Sequence, residues 1–153
     1  MDMISHFDVK HVRRIAILAT VMCAAPSMAA TPFPGKLPAT IVHIEAANVI
    51  YVNIETWPGF RRDFRVTLPN LVVPGQGEDV MACELALAQQ AYDFTVNFLS
   101  DVTTVHVKDM RMESSSSEDA VSSIYTDHGT LDNALRRERL ARPADIAAGE
   151  PWC

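Results

Sequence analysis

The sequence has 153 residues, of which 48% are hydrophobic, as expected for one globular domain with a modest core. Its formal net charge is −6 at pH 7. The chain as a whole therefore lacks the basic character with which general nucleic-acid binders neutralise phosphates. Arginines do cluster locally within Arg61–Arg65 and Arg136–Arg139, and we interpret both clusters as solvated faces of a strand and a helix.

Residues 1–29 have the pattern of a secretory signal peptide. Basic residues within Lys10–Arg14 precede the apolar run Ile15–Ala25, which is too short to span a bilayer. Pro26 and then small residues up to Ala29 follow, in the arrangement that signal peptidase needs. The alternative is an uncleaved membrane anchor, which the short apolar run disfavours. We predict export to the periplasm or the medium, with no membrane attachment after cleavage.

Two cysteines, Cys83 and Cys153, remain after such a cleavage. In an oxidising compartment an even number of cysteines favours a disulfide. The alternative is two unpaired thiols, because sequence alone does not place two sulfur atoms within bonding distance.

The exported chain begins with an extended lead-in, residues 30–38, whose three prolines and one glycine predict no regular structure. Three β-like runs follow between Ala39 and Gly75. Hydrophobic residues alternate at 50, 52 and 54 in the second run and at 64, 66 and 68 in the third, which predicts strands with one buried side. Trp57-Pro58-Gly59 predicts the turn between these two runs, with Trp57 as a packing anchor in preference to a platform for a ligand.

A helix of about twenty residues is predicted after the break at Pro74–Gly77. Glu78 and Asp79 suit its start, because the helix dipole favours acidic groups there. Apolar residues then recur at spacings of three and four, which predicts one face packed against the sheet: Val80, Cys83, Leu87, Ala91, Phe94 and Phe98. Ser100 and Asp101 are expected to end the helix.

Two more strands and a short helix are predicted in the rest of the chain. Alternation predicts strands over Val102–Lys108 and Ala120–Tyr125, and the polar segment Met112–Asp119 between them predicts a loop. Thr130 can cap a short helix that Leu140–Pro143 closes. Three strands, a helix, two strands and a helix are the order of a five-stranded Greek-key barrel of the OB type. The predicted fold class is therefore α+β, mainly β.

Six strings of the chain are informative together: ATIVHI, ETWPG, FRVTLPNLVVPG, ALAQQAYDFTVNFL, TDHGTLDNAL and LARP with the terminal PWC. They resemble the staphylococcal-nuclease-like (thermonuclease) family in its secreted proteobacterial form. The resemblance covers nearly all of residues 39–153, which it implies are one OB-type domain. Family members bind calcium and hydrolyse phosphodiester bonds, so the resemblance also identifies positions to inspect.

The family's functional positions carry different residues in this chain. By resemblance, its two calcium-binding aspartates correspond to Asn48 and Val72, and the glutamate that handles the attacking water corresponds to Gly75. Its two arginines correspond to Thr67 and Glu118. Calcium needs several oxygen ligands, usually including carboxylates, and phosphodiester hydrolysis needs positive charge opposite the developing negative charge. We therefore expect neither a calcium cofactor nor catalytic residues here, as in a pseudoenzyme.

A metal site elsewhere is not predicted. His43, His106 and His128 fall on separate predicted elements and lack the spacing of metal ligands. We interpret all three as surface or strand residues.

Two functional hypotheses follow from the resemblance. The first is an exported accessory or binding protein without catalysis, since similar nuclease-like proteins of rhizobia belong to the biosynthesis of succinoglycan, an acidic exopolysaccharide. Its partners would be polysaccharide or exopolysaccharide-synthesis proteins, and OB barrels bind oligosaccharides as well as oligonucleotides. The second is a secreted calcium-dependent nuclease with a rearranged site, whose ligands would come from Glu45, Glu78 or Asp79. The lost positions and the acidic charge favour the first, without nucleic acid as a partner.

Overall fold

The structure, a computed structural model, describes residues 33–75, 80–112, 114, 116–145 and 151–153. The predicted signal peptide lies outside these residues, and so do Glu78 and Asp79. The described residues form eight strands and two helices, in the order β1 Phe33–Ala46, β2 Val49–Trp57, β3 Phe60–Thr67, β4 Leu71–Val72, α1 Ala82–Ser100, β5 Val105–Met112, β6 Asp119–Thr126, β7 Gly129–Thr130, α2 Leu131–Arg137 and β8 Arg142–Pro143.

The main sheet closes on itself. Its strand order is β3-β2-β1-β5-β6-β7, with antiparallel neighbours, and β3 also pairs with β6 in parallel. This last pairing joins β1, β2, β3, β5 and β6 into a closed five-stranded barrel. A barrel with this order has the OB topology, so the predicted fold class is confirmed. The short strands β4 and β8 form a separate two-stranded sheet.

The barrel interior holds the core. The alternation predicted for the second and third strands is confirmed, because the apolar residues at 50, 52, 54, 64, 66 and 68 are all at most 2% exposed. Val107 on β5 and Ile124 on β6 are also fully buried and complete the interior. Side chains at the positions between them, such as Arg65 and Thr67 on β3, stay partly accessible on the outer face.

Residues 33–38 form the first part of β1, so the prediction of an irregular lead-in is wrong for them. Lys36 and Leu37 pair with Lys108 and Val107 of β5. The register shifts near Gly35, whose φ of 90° is readily adopted only by glycine. The prolines favour an extended backbone, and β5 supplies the partner that makes the segment a strand.

The β2–β3 hairpin turns at Pro58-Gly59 as predicted, and Gly59 has a φ of 79°. Trp57, however, is 74% exposed, so its prediction as a packing anchor is wrong. Trp57 pairs with Phe60 at the end of the hairpin, and Phe60 is itself 58% exposed. The last buried residue of β2 is Ile54, so the indole lies past the end of the core.

Helix α1 has the predicted length but a different buried face. Its buried residues are Ala88, Ala91, Thr95 and Leu99, whereas Cys83 is exposed and Leu87, Phe94 and Phe98 are only partly buried. Small side chains let the helix backbone approach the barrel, and the Thr95 hydroxyl donates a hydrogen bond to the carbonyl oxygen of Ala47 at 2.9 Å. Within the described residues, neither helix combines the length and apolar character needed to cross a bilayer.

Several remaining predictions hold with shifted boundaries. The fourth predicted strand is β5, Val105–Met112, and the fifth is β6, Asp119–Thr126. Thr130 occupies the N-cap of α2, although its side chain makes no capping hydrogen bond. Cys83 and Cys153 lie at disulfide-bonding distance, with their Cα atoms 6.4 Å apart. This contact joins the start of α1 to the end of the chain.

Candidate functional site

Asn48 and Thr67, two of the positions that the resemblance singles out, lie at one end of the barrel. Asn48 is in the turn between β1 and β2, and its backbone oxygen accepts a hydrogen bond from the N–H of Leu68 at 2.9 Å. Thr67 ends β3, where it pairs with Val49 on one side and with Val121 of β6 on the other. Neither residue supplies a charge at this position.

Glu118 lies near the same part of β3. Its backbone oxygen accepts a hydrogen bond from the N–H of Arg65 at 2.8 Å, and its side chain is exposed. Val72 lies in β4, where it pairs with Arg142 of β8 and is 36% exposed. The position expected from the resemblance to hold an arginine therefore holds an acid, and the position expected to hold a calcium ligand holds an apolar side chain without oxygen atoms.

Gly75 is in contact with helix α1. Its N–H donates a hydrogen bond to Oε1 of Glu84 at 2.8 Å. A Cβ added at Gly75 would lie 3.2 Å from that same oxygen and 3.4 Å from Val80. The space that a glutamate side chain would enter at position 75 is thus partly taken by the carboxylate of Glu84.

A cavity of about 480 Å³ opens on the outer face of the barrel beside Thr67. A second cavity of about 250 Å³ adjoins it, because Arg111 and Val121 line both. We call the two together the β3–β6 groove. Its further lining residues include Arg65, Met112, Asp119, Ala120, Pro69, Asn70, Lys108, Asp109, Ser122, Ser123 and Tyr125.

Arg65 also lines this groove, but two acidic side chains balance its charge. Its Nε and Nη2 donate to the two carboxylate oxygens of Glu45 at 2.9 and 2.6 Å, and its Nη1 lies 3.5 Å from Oδ1 of Asp119. The hydrogen bonds from Arg65 lower the pKa of Glu45 to about 2, against the effect of burial and with a smaller contribution from Tyr51. Hydrogen bonding to Glu45 in turn raises the pKa of Tyr51. Arg65 therefore contributes little net charge to a ligand.

Arg111 contributes a charge that is not balanced in the same way. Within the described residues it makes no ion pair or hydrogen bond through its side chain. It pairs with Val121, which is 42% exposed and forms an apolar part of the groove wall. The nearby Lys108 has its Nζ 3.8 Å from Oδ2 of Asp109. Arg111 is thus the group best placed to attract an anion into the β3–β6 groove.

The sequence prediction missed Arg111 because the fourth strand was expected to end at Lys108. The register of β5 against β6 shifts between Lys108 and Arg111, and Asp109 has a φ of 51°. This irregularity breaks the alternation that marks a strand. The available signal in the sequence was the apolar residue Met110, which the structure shows fully buried.

The described residues contain no group of three or more His, Cys, Asp or Glu side chains placed to hold a metal ion. The three histidines lie apart: His43 on β1, with its ring 5.9 Å from that of Tyr51, His106 on β5, and His128 between β6 and β7. Glu45, one of the ligands of the alternative nuclease hypothesis, has both carboxylate oxygens occupied by Arg65.

The groove has the chemistry of a binding surface. It offers a cation in Arg111, hydroxyl groups in Thr67, Ser123 and Tyr125, and an apolar wall at Val121. These groups can donate hydrogen bonds to a polar ligand and contact its apolar face.

Comparison with known proteins assigns neither a family nor a function to this chain. No protein-family model matches the chain, and no curated protein matches it. Membership of the staphylococcal-nuclease-like family accordingly stays a prediction from the six strings, while the OB-type barrel rests on the structure itself.

Proposed function

We propose that this protein is an exported, non-hydrolytic binding module that acts as an accessory in the synthesis of an acidic exopolysaccharide such as succinoglycan. The observation that carries the proposal is the β3–β6 groove. It lies where the resemblance places catalysis, yet Thr67 and Glu118 stand at the two arginine positions, and its available cation is Arg111. A cavity with binding groups persists beside positions that lack the family's catalytic groups.

The groove suits an oligosaccharide that carries an occasional acidic group. A guanidinium such as that of Arg111 forms two parallel hydrogen bonds with a carboxylate. Hydroxyls of Thr67, Ser123 and Tyr125 can exchange hydrogen bonds with sugar hydroxyls, and Val121 can contact the apolar face of a sugar ring. The larger cavity, about 480 Å³, falls within the usual range of small-molecule sites.

Nucleic acid is the less suitable ligand for the same groove. Each nucleotide carries a phosphate, and affinity for such a chain grows with the number of phosphates that basic residues neutralise. Here Arg65 is already paired with Glu45 and Asp119, which leaves Arg111 as the main attractive charge in this groove. A polysaccharide with one acidic group per several sugars matches this charge better.

Export is supported by the pattern of residues 1–29 and by the disulfide-bonding distance between Cys83 and Cys153. Mass spectrometry of periplasmic material tests it. We expect a mature chain beginning close to Ala30, and a full-length species retained in the membrane would contradict export.

Titration calorimetry tests the binding function. The purified protein is titrated with succinylated oligosaccharide, with the same oligosaccharide after chemical removal of its acidic groups, and with single-stranded DNA. We expect the acidic oligosaccharide to bind best. Arg111→Ala should weaken that binding about tenfold or more, since a hydrogen bond to a charged group is lost. Arg137→Ala, an exposed arginine of α2 outside the groove, is the matched control and should not change the affinity.

Two results would contradict the proposal. Equal affinity for the acidic and neutral oligosaccharides would show that Arg111 does not recognise an acidic group of the ligand. Cleavage of the DNA that stops on calcium chelation would instead support the alternative, a secreted calcium-dependent nuclease with a rearranged site.

A further inference from the structure

A separate cavity of about 380 Å³ lies at the C-terminal end of α2. The described residues that line it are Arg136, Arg139, Ala141, Arg142 and Pro143, and we call it the arginine cavity. None of these residues lines the β3–β6 groove, and none is acidic. Three guanidinium groups therefore surround one space that the function proposed above does not use.

Arg136 is held in place but keeps hydrogen-bonding capacity. Its Nη2 donates to the backbone oxygen of Asn70 at 3.0 Å. Its Nε is buried and has no hydrogen-bond partner among the residues that the structure describes. Asp132 lies one turn earlier on α2, and its Oδ1 is likewise buried without a partner, but no ion pair joins the two side chains. The charge of Arg136 is thus not neutralised within its own helix.

Arg139 has a backbone conformation that favours glycine. Its φ is 59°, and it follows α2 in a turn closed by hydrogen bonds from the N–H of Arg139 to the oxygen of Arg136 and from the N–H of Leu140 to the oxygen of Leu135. Helices commonly end this way with glycine at the left-handed position. Any residue with a Cβ is strained there, so stability alone would select glycine. Such strain is characteristic of sites that have a function.

Arg142 reaches the same cavity from β8. Its guanidinium lies 4.1 Å from the centre of the Trp152 ring, and its Nη1 donates to the backbone oxygen of Pro151 at 3.2 Å. These contacts fix its orientation against the end of the chain, which Cys153 ties to α1.

The helix dipole alone does not account for this arrangement. Cations near a helix C-terminus interact favourably with its free carbonyl groups, which explains Arg136 and Arg137 in the last turn of α2. It does not explain why Arg142 of another element faces the same cavity, or why Arg139 occupies a position suited to glycine.

We propose that the arginine cavity binds a small ligand bearing an oxyanion, of the size of a monosaccharide that carries a phosphate or a carboxylate. Guanidinium groups match the paired oxygens of both anions, and the cavity volume is at the lower end of small-molecule sites. This inference does not rest on the β3–β6 groove.

The test titrates the purified full chain with inorganic phosphate, glucose 1-phosphate, glucuronate and, as the neutral control, glucose. Sodium chloride keeps the ionic strength constant, and titration calorimetry measures binding. We expect at least one of the anions to bind at millimolar concentration and glucose not to bind. The tighter of glucose 1-phosphate and glucuronate then identifies which oxyanion the site takes.

Arg139→Gly is the most informative variant, because it removes a guanidinium and places glycine where φ is 59°. We expect the melting temperature of the free protein to rise while the affinity for the anion falls about tenfold or more. Arg142→Gln should lower the affinity independently. Arg137→Ala, in the last turn of α2 but outside the cavity, should leave the affinity unchanged.

Two outcomes would overturn the inference. One is that no anion binds at millimolar concentration. The other is that Arg139→Gly and Arg142→Gln both keep the affinity of the unmodified protein, because the anion would then bind elsewhere.

Discussion

Arg65 of β3 and Glu45 of β1 form a two-point ion pair that spans the intervening strand β2. The Nε–Oε2 distance is 2.9 Å and the Nη2–Oε1 distance is 2.6 Å. The remaining Nη1 of Arg65 lies 3.5 Å from Oδ1 of Asp119, at the start of β6. One side chain thus links β1, β3 and β6, and the same contacts neutralise the arginine nearest to Thr67.

This pair predicts a dependence of stability on pH. The pKa of Glu45 is lowered from 4.5 to about 2, chiefly by hydrogen bonding to Arg65. Because the folded-state pKa is the lower one, the stabilisation is complete above the unfolded value and is lost as the pH falls through about 2. We expect the free energy of unfolding of the unmodified protein to exceed that of Glu45→Gln, and the difference to shrink between pH 4.5 and 2.

Urea denaturation of both proteins at a series of pH values measures this difference. The side chains are 35% and 40% exposed, so the effect should be modest. Glu138→Gln, an exposed position without an ion pair among the described residues, is the control and should show no comparable trend. A difference that is as large at pH 2 as at neutral pH would contradict the prediction.

Thr95 should stabilise the protein through its hydroxyl. It is fully buried on α1 and donates at 2.9 Å to the oxygen of Ala47, in the turn that also contains Asn48. Thr95→Val keeps the shape but leaves that oxygen unpaired, and should lower the free energy of unfolding by about 1–3 kcal/mol. Thr95→Ser keeps the donor and loses one methyl group, for a cost of about 1 kcal/mol. Chemical denaturation compares the two, and a valine variant as stable as the unmodified protein would refute the role of the hydroxyl.

The contact between Cys83 and Cys153 should make the protein sensitive to reductants. A bond between them closes a loop with a sequence separation of 70 residues, and the chain-entropy account gives a stabilisation of about 4 kcal/mol for such a loop. Both cysteines are exposed, so a reductant can reach the bond without unfolding. We expect reductant to lower the denaturation midpoint of the unmodified protein but not that of the double variant Cys83→Ser, Cys153→Ser. Peptide mapping without reductant decides the pairing directly, and two free thiols in exported protein would exclude it.

The strands of the barrel were predictable from sequence where one side of the strand is buried, because apolar residues then occur at every second position. Ile50, Val52 and Ile54 marked β2 in this way. The pairing of Lys36 with Lys108 was not predictable, because it joins a proline-rich segment to a strand distant in the chain. The buried face of α1 was also misjudged, since Thr95 is held by a hydrogen bond that hydropathy does not reveal.

The candidate sites were predictable only in part. The resemblance identified Thr67 and Glu118, which the structure places near one another through β3 and the start of β6. Arg111 was hidden by the irregularity of β5 between Lys108 and Arg111. The cluster Arg136–Arg139 was visible in the sequence, but its approach to Arg142 depends on the short pairing of β4 with β8.

The last prediction is that this protein neither binds calcium at the family's position nor cleaves nucleic acid there. Asn48 and Val72 provide no carboxylate, and Thr67, Gly75 and Glu118 stand where the resemblance predicts catalytic groups. A ligand that binds only the folded state adds about 2.7 kcal/mol of stability at a hundredfold excess over its dissociation constant, which would raise the melting temperature by several degrees. We expect no such rise with millimolar calcium and no calcium-dependent degradation of single-stranded DNA or RNA. A clear calcium shift together with cleavage lost on chelation would contradict this.

Restoring the family's residues provides the control, and Glu84 decides how it must be designed. The quadruple variant is Asn48→Asp, Thr67→Arg, Val72→Asp, Gly75→Glu. Its new Cβ at position 75 would lie 3.2 Å from Oε1 of Glu84. This contact is already tight at the Cβ, and a carboxylate at the end of the new side chain would repel that of Glu84, so the new glutamate would be forced away from its expected position. Adding Glu84→Ala removes the obstacle. We therefore expect calcium to raise the melting temperature of the quintuple variant more than that of the quadruple variant. Equal responses would show that Glu84 does not obstruct position 75.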